Sequence, residues 1–285
     1  MARLSQGPPL PAPSEKAAAV DAMFDTIAPR YDRLNRILTL GLDVGWRRRA
    51  VRELGLSAHA RVLDLACGTG DFCRELTRAG ADPIGVDRSA GMLAAAASPE
   101  SAPQHGRGLA RLGTDRRPRA EDDRSPTPQH GRGLARLGTD RRPRAEDDRS
   151  PTPLVRGDGL RLPVRDGSID AITCGFALRN VVALEPLFSE CARVLRPGGR
   201  VALLEVAEPE RAWARFGHRV YFHHVVPFVG GLLSDRAAYR YLPESTAYLP
   251  EPEALLAQLE GAGFTAVSRQ LLGLGAAQLI TGTSR

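Results

Sequence analysis

Apolar and polar positions form alternating blocks along most of the chain, and these blocks predict strands and helices in turn. The mainly apolar run 62–65 predicts a strand buried on both faces, and a turn of small residues follows it. Phe72, Leu76 and Ala79 then recur at helical spacing, and Gly80 stands where a helix C-terminal cap is expected. The pattern therefore predicts a strand, a glycine-containing turn and a helix in succession.

The same succession continues beyond this first unit. A helix is predicted from Ser89, a plausible N-cap residue, and another over 184–195, which Pro197 and two glycines end. Further strands are predicted at 83–86, at 154–156, at 169–174, at 201–206, at about 267–272 and at 276–282. Because a tight glycine turn joins the last two, they form a hairpin. The whole pattern predicts a three-layer α/β fold with an antiparallel last strand.

The segment ahead of the first strand differs from this pattern. Residues 1–16 are predicted to be a disordered tail without the apolar core of a signal peptide. A helical pattern starts at about Ala17 and places Phe24, Ile27 and Tyr31 on one face. Such a helix could lie over a bound ligand as a lid, and plain packing would use the same face. Tyr31 is singled out because packing needs no phenol hydroxyl.

Two further segments interrupt the pattern. Residues 98–153 carry the same 25-residue sequence twice, at 103–127 and 128–152, and lack any usable period, so they are predicted to be a disordered insertion. A basic arm for anionic lipid or nucleic acid is the alternative, against which the interleaved acidic runs argue. Residues 209–248 are rich in aromatic and apolar residues and predict a helical substrate cap. Residues 17–285 are predicted to form a single domain, which the insertion at 98–153 interrupts.

Composition narrows the class of protein. The net charge is +6, but each repeat copy has six arginines against four acidic residues, so the rest of the chain is nearly neutral and nucleic acid is not indicated as a partner. The four cysteines form no Cys-x-x-Cys pair, so neither a metal site nor a disulfide framework is predicted. No uncharged apolar segment reaches the roughly 18 residues of a membrane span. These features predict a cytoplasmic protein.

Candidate chemistry lies at the turn after the first strand. Gly68 and Gly70 let the backbone approach a ligand at a helix N-terminus, which indicates a nucleotide-type cofactor. Cys73 stands where a dinucleotide fingerprint needs its third glycine. Asp64, four residues before Gly68, suits a ligand with a cationic amino group, and Asp87, 17 residues after Gly70, can bind two ribose hydroxyls. These residues favour S-adenosylmethionine (SAM) over NAD. Simple turn glycines remain the alternative.

Later turns add candidates to this site. Asp158, after the strand at 154–156, can accept a hydrogen bond from an adenine amino group. The segment 175–181 follows the strand at 169–174, at the edge where parallel sheets bind ligands.

Five motifs resemble the ubiquinone/menaquinone-biosynthesis C-methyltransferase family of class I SAM-dependent methyltransferases. They lie at 23–35, at 62–71, at Gly-Phe-Ala-Leu-Arg-Asn-Val (175–181), at Arg-Val-Leu-Arg-Pro-Gly-Gly (193–199) and at Ala-Tyr-x-Tyr-Leu-Pro-Glu-Ser (238–245). The resemblance covers most of 20–98 and 154–272. It implies a Rossmann-like sheet with a helical cap, SAM contacts at Thr69, Asp87, Asp158 and Gly159, and Gly175 near the cofactor.

The resemblance also implies a reaction, which is methyl transfer from SAM to a ring carbon of a prenylated hydroquinone. The substrate is expected to be demethylmenaquinol, with a benzoquinol of the ubiquinol pathway as the alternative. Arg179 is then the candidate cation that stabilises a phenolate, Asn180 would orient the ring or Arg179, and Tyr31 would close the pocket. His223 or His224 could act as a base, although packing is the more common use of such residues. The site uses no metal.

The prenylated quinol implies peripheral membrane contact, and the apolar run 220–233 could supply an interfacial helix or a groove for the prenyl tail. Buried packing within the cap is the alternative for that run. The sequence is also compatible with a homodimer. Two other functions also remain, a methyltransferase for another lipid such as phosphatidylethanolamine and a catalytically silent SAM-binding subunit.

Overall fold

The computed structural model describes residues 13–98, 151–221 and 245–285. Several predictions lie wholly or partly outside these ranges. They are the disordered tail at 1–16, the insertion at 98–153 with its repeats at 103–127 and 128–152, most of the cap at 209–248 with the apolar run 220–233 and the motif at 238–245, and the candidate bases His223 and His224. The described residues of 13–98 and those between 152 and 285 belong to one compact unit.

Strands and helices alternate in the order that the sequence predicts. The strands are β1 (Arg61–Leu65), β2 (Asp82–Asp87), β3 (Leu154–Arg156), β4 (Ile169–Gly175), β5 (Leu195–Val206), β6 (Phe264–Leu272) and β7 (Ala277–Ser284). The helices are α1 (Pro13–Ile27), α2 (Tyr31–Leu38), α3 (Leu42–Glu53), α4 (Asp71–Arg78), α5 (Ala90–Ala96), α6 (Leu184–Val194), α7 (Ala212–Val220) and α8 (Pro252–Gly261).

The seven strands form one sheet in the order β3-β2-β1-β4-β5-β7-β6. The first five are parallel, whereas β7 runs antiparallel between β5 and β6. This topology confirms the predicted α/β fold with an antiparallel last strand. Because β1 to β5 are parallel, their carboxyl ends meet at one edge of the sheet, and the strand order reverses between β1 and β4.

Each face of the sheet is covered by helices, which completes the three layers. Leu63 and Ile172, both fully buried, pack on one face with Phe188 of α6. Val62 packs on the other face with Leu76 of α4. The strands therefore bury apolar side chains on both faces, as the continuous apolar runs predict.

Three boundaries differ from the sequence prediction. Helix α1 begins at Pro13, so residues 13–16 are helical rather than part of the tail; proline is well tolerated in the first turn of a helix. A 3₁₀ turn, Ala28–Arg30, separates α1 from α2, since Pro29 has no N–H for a continuous helix. Strand β5 starts at Leu195, because a register shift opposite Ile169 accommodates the Pro-Gly-Gly sequence within the strand.

Candidate cofactor and substrate site

A cavity lies at the carboxyl edge of the sheet, where β1 to β4 end beneath the N-terminal helices. Its walls combine apolar side chains with a few polar groups, a composition typical of sites for small organic ligands. The predicted site residues among its lining are Tyr31, Gly68, Asp87, Asp158, Gly159, Gly175 and Asn180. Val20, Asp21 and Phe24 of α1 also line it, so the N-terminal helices contribute to the cavity as the lid prediction requires.

Gly68 and Asp87 are bonded directly to each other in this cavity. Gly68 has a φ of +55°, and a Cβ atom there would meet nothing within 4 Å, so the backbone leaves open space towards a ligand. Its N–H donates to Asp87 Oδ2 at 2.8 Å, and the N–H of Ser89 donates to Asp87 Oδ1 at 2.9 Å. Each carboxylate oxygen retains a lone pair for a hydroxyl. These residues fit the ribose of SAM.

Asp158 is held in place at the neighbouring strand end. Its Oδ1 accepts from the N–H of Leu160 at 3.0 Å, and its Oδ2 accepts from Arg88 Nη1 at 3.0 Å. A Cβ atom on Gly159 would lie 3.0 Å from Leu187 Cδ1, so a larger residue at this turn would require that leucine to shift. The turn therefore brings a fixed carboxylate to the cavity next to Asp87, as the adenine prediction requires.

Three other predicted cofactor residues do not line the cavity. Gly70 ends the turn with a φ of +85° ahead of α4, and the hydroxyl of Thr69 donates to Asp32 of α2. Asp64 is fully buried and accepts from Thr173 Oγ1 at 2.8 Å and from Cys73 Sγ at 3.4 Å. Burial raises the pKa of Asp64 to about 7. The structure thus places Asp64 beneath the turn, outside the residues that line the cavity.

Tyr31 and Asn180 reach the cavity from opposite sides. Tyr31 opens α2, and its ring meets the ring of Phe24 edge to face at a centroid distance of 5.9 Å. Burial raises the pKa of the Tyr31 hydroxyl, and the positive charge of Arg179 partly offsets that rise. Asn180 lies in the short 3₁₀ turn after β4. The phenol of Tyr31 and the amide of Asn180 thus share the cavity with Gly68, Asp87 and Asp158.

Arg179 lies behind this lining instead of in it. The side chain is 6 % exposed, pairs through Nη1 with the fully buried Glu205 and donates from Nε to Ser245 Oγ at 3.1 Å. The backbone N–H of Arg179 also donates to Glu205 Oε2 at 3.2 Å. The predicted cation is therefore half of a buried ion pair. Sequence analysis missed Glu205, although a carboxylate in the apolar run 201–206 was a visible signal.

Three acidic residues bond the N-terminal helices to the segments that follow β1 and β2, next to the cavity. Asp25 accepts from Ser89 Oγ at 2.5 Å and from the N–H of Gly91 at 2.9 Å, and these bonds lower the Asp25 pKa. Asp21 pairs with Arg88 at 3.1 Å, the same arginine that holds Asp158.

The third of these residues, Asp32, accepts from Thr69 and lies 3.4 Å from Arg74 Nη2. Sequence analysis missed all three anchors, because each joins residues at least 37 positions apart. Together these three acidic residues hold α1 and α2 against the turns that follow β1 and β2.

Within 13–98, 151–221 and 245–285 no cluster of His, Cys, Asp and Glu could hold a metal ion. Over the same residues, no helix has the length and apolarity to cross a membrane.

The fold and this site define a class I SAM-dependent methyltransferase architecture. A glycine turn follows β1, carboxylates end β2 and follow β3, and β7 is antiparallel. A solved structure from Thermotoga maritima, described as a SAM-dependent methyltransferase, shares the fold with a TM-score of 0.54 and 17% identity. The similarity covers 93% of this chain and 99% of that one.

The chain belongs to the ubiE/COQ5 methyltransferase family, whose model matches residues 13–101 and 138–284. A demethylmenaquinone methyltransferase of Roseiflexus castenholzii is 38% identical over 279 residues, which are 97% of this chain and 98% of the relative. The ubiquinone/menaquinone biosynthesis C-methyltransferase UbiE of Syntrophotalea carbinolica is 35% identical, and the similarity covers 91% of this chain and 92% of the relative. The family resemblance from the sequence motifs is confirmed.

Proposed function

We propose that the protein transfers the methyl group of SAM to a ring carbon of a prenylated hydroquinone, with demethylmenaquinol as the substrate. One observation carries the proposal: the carboxylates of Asp87 and Asp158 share a single cavity with Tyr31 and Asn180. Family membership and the names of the relatives support the same reaction.

The chain's own residues would hold the cofactor at the edge of the sheet. Asp87 would accept from the ribose hydroxyls, Asp158 from the adenine amino group, and Gly68 would allow close backbone approach. Thr69, Gly70, Gly159 and Gly175 would shape the turns around it. When bound, SAM supplies a methyl group activated by a sulfonium charge.

The substrate ring would need activation, because a phenol of pKa near ~10 is mostly protonated at neutral pH. Loss of the hydroxyl proton makes the neighbouring ring carbon nucleophilic, and a positive charge favours that loss. Arg179 would supply this charge from behind the lining, fixed by Glu205 and Ser245. Asn180 would orient the ring, and Tyr31 would close the cavity from the lid. Proximity to the activated methyl group supplies the rest.

The prenyl tail of such a substrate supports the expectation of peripheral membrane contact by a cytoplasmic enzyme. The quinol would enter from the bilayer while its ring reached the cavity beneath α1 and α2.

The test is a methyl-transfer assay with purified protein, SAM and a short-chain demethylmenaquinol, followed by mass spectrometry. We expect the quinol mass to rise by one methyl group for each S-adenosylhomocysteine formed. Arg179→Ala should bind SAM normally and lose most turnover, whereas Arg196→Ala on the exposed surface serves as the control. No methylated quinol from SAM-binding protein would reject the proposal.

A further inference from the structure

Large apolar side chains are exposed mainly on three neighbouring segments. Seven of the eight such side chains among the described residues lie where α2 ends and α3 begins, on α7, or on the turn between β6 and β7. We call these seven residues the apolar face. Its members are Ile37, Leu40, Leu42, Trp213, Phe216, Val220 and Leu274. Scattered exposed apolar residues are ordinary, but a contiguous set marks an interaction surface.

Direct contacts bring two of these segments together. A Cβ atom on Gly273 would lie 2.6 Å from Trp46 Cζ2, so the turn between β6 and β7 lies against α3. A Cβ atom on Gly275 would lie 2.9 Å from the Cα of Pro209, just ahead of α7. The turn that carries Leu274 is thus wedged between α3 and the start of α7.

A third contact joins the end of α7 to the end of α2. Tyr221, directly after α7, donates its hydroxyl hydrogen to the carbonyl of Leu38 at 2.9 Å. Leu38 and Tyr221 also pack in the same apolar cluster as Phe24 and Tyr31, which line the cavity. The three segments that carry the apolar face are therefore adjacent, and they border the helices that line the cavity.

Helix α7 presents its apolar side outward. Trp213, Phe216 and Val220 follow one another at helical spacing and are 63 %, 71 % and 42 % exposed, whereas Ala214 is buried against the protein. An amphipathic helix normally turns its apolar stripe to the core. This outward stripe, with a tryptophan near one end, matches helices that lie in the interface of a membrane.

Backbone conformation supplies an independent observation. Leu40 and Leu274 have φ values of +53° and +59° and are the two most exposed members of the apolar face, at 79 % and 73 %. Leucine is disfavoured in this left-handed region, where glycine is readily accommodated. Of the six non-glycine residues with positive φ among the described residues, these two carry exposed leucine side chains, which a contact outside the fold would bury.

We propose that the apolar face docks on a lipid bilayer that carries anionic headgroups. This inference rests on the proposed function, because a prenylated quinol resides in the membrane. The charge of the flanking segment favours anionic lipid, since residues 30–53 contain seven arginines and three acidic residues. Arg48 and Arg49, on α3, are about half exposed and pair with Glu75 and Glu53. Arg30 and Arg52, at the two ends of the same segment, are also exposed.

Two glutamates also border α7, and both have basic partners. Glu208 lies 3.8 Å from Arg215, and Glu210 lies 3.5 Å from Arg269. Each of these pairs is neutral, so the surplus of arginines in residues 30–53 sets the sign of the charge beside the apolar face.

Vesicle sedimentation with the full-length protein tests the proposal. Vesicles of phosphatidylcholine with phosphatidylglycerol should bind the wild type more tightly than phosphatidylcholine alone, and added salt should weaken binding. The double variant Leu40→Gly with Leu274→Gly should bind at least about tenfold more weakly, because it loses two inserting side chains. Since glycine suits both backbone conformations, its Tm should stay equal or rise.

His59→Gly is the matched control. His59 is exposed and also has a positive φ, of +60°, but it lies at the amino end of β1, away from the apolar face. This variant should bind vesicles as the wild type does.

Three results would overturn the proposal. The first is equal vesicle binding by the wild type and the double variant. The second is no vesicle binding by the wild type, in which case residues 222–244 would be the occupant of the apolar face. The third is a wild-type dimer that the double variant abolishes. A short-chain quinol assay without vesicles separates this inference from the proposed function. Normal turnover by the double variant there, together with weak vesicle binding, supports the docking surface. Absence of turnover in both proteins would refute the reaction while the vesicle result still decided the surface.

Discussion

Asp64 is a carboxylic acid in the centre of the sheet, bonded to Thr173 and Cys73. Its pKa is about 7 in the folded protein and 3.8 as an ordinary carboxyl group, so the folded state binds the proton more tightly. The stability due to this group is therefore fully present below pH ~4 and is lost as pH rises to about 7.

We predict that the free energy of unfolding falls by up to about 4 kcal/mol from this group between pH 4 and 7. Asp64→Asn should remove that pH dependence, because the amide stays neutral. Urea unfolding across this pH range measures it, and Asp82→Asn, at an exposed carboxyl, is the control. An unchanged slope in Asp64→Asn would show that another group titrates.

Asp87 and Asp82 end the same strand and provide a matched pair for cofactor binding. Asp87→Asn should weaken SAM binding at least about tenfold, because a charged acceptor of two hydroxyls is lost. Asp82→Asn, at the opposite end of β2, should bind SAM normally. Isothermal titration calorimetry distinguishes them, and equal affinities would remove the ribose role from Asp87.

At the level of elements, the lid depends on single side-chain anchors. Asp25→Ala would remove the acceptor for Ser89 Oγ and for the N–H of Gly91, so α1 should loosen from α5. We expect a loss of about 1–2 kcal/mol of stability and faster hydrogen exchange in α1.

Thr26→Ala is the neighbouring control for this lid prediction. Its hydroxyl bonds only within α1, to the carbonyl of Ala22 at 2.8 Å, among the hydrogen bonds described here. Exchange in α1 that rose equally in both variants would contradict an anchoring role for Asp25.

The elements that sequence could predict are those with continuous local signals. Strand β1, its glycine turn and α4 follow from apolar runs and spacing, and the N-cap role of Ser89 is confirmed by its bond from the N–H of Met92. Strand β5 was predicted too short, because a bulge opposite Ile169 depends on a partner strand and leaves no local mark. Arg179 was recognised as a motif residue, but its partners Glu205 and Ser245 lie 26 and 66 positions away.

At the level of the whole molecule, pairing between strands sets the geometry of the site. The N–H of Gly85 donates to the carbonyl of Pro153 at 2.9 Å, and β3 then pairs with β2 as far as Asp87. Strand pairing thus sets Asp158 beside Asp87. This placement needs no contact with the repeats.

Deletion of residues 103–152 should therefore leave methyl-transfer turnover and Tm nearly unchanged. Steady-state kinetics and thermal unfolding of the deletion variant test this expectation. A large drop in turnover at unchanged Tm would instead assign the repeats a part in the reaction.

The position of β7 between β5 and β6 has a consequence for biosynthesis. Strand β6 precedes β7 in the chain, but among the described residues it pairs within the sheet only with β7. During translation, the edge of β5 that later pairs with β7 therefore stays open until Ala277–Ser284 has been made. Exposed edges of this kind favour association between chains. Nascent chains of this protein are thus most prone to aggregate in the interval just before β7 emerges.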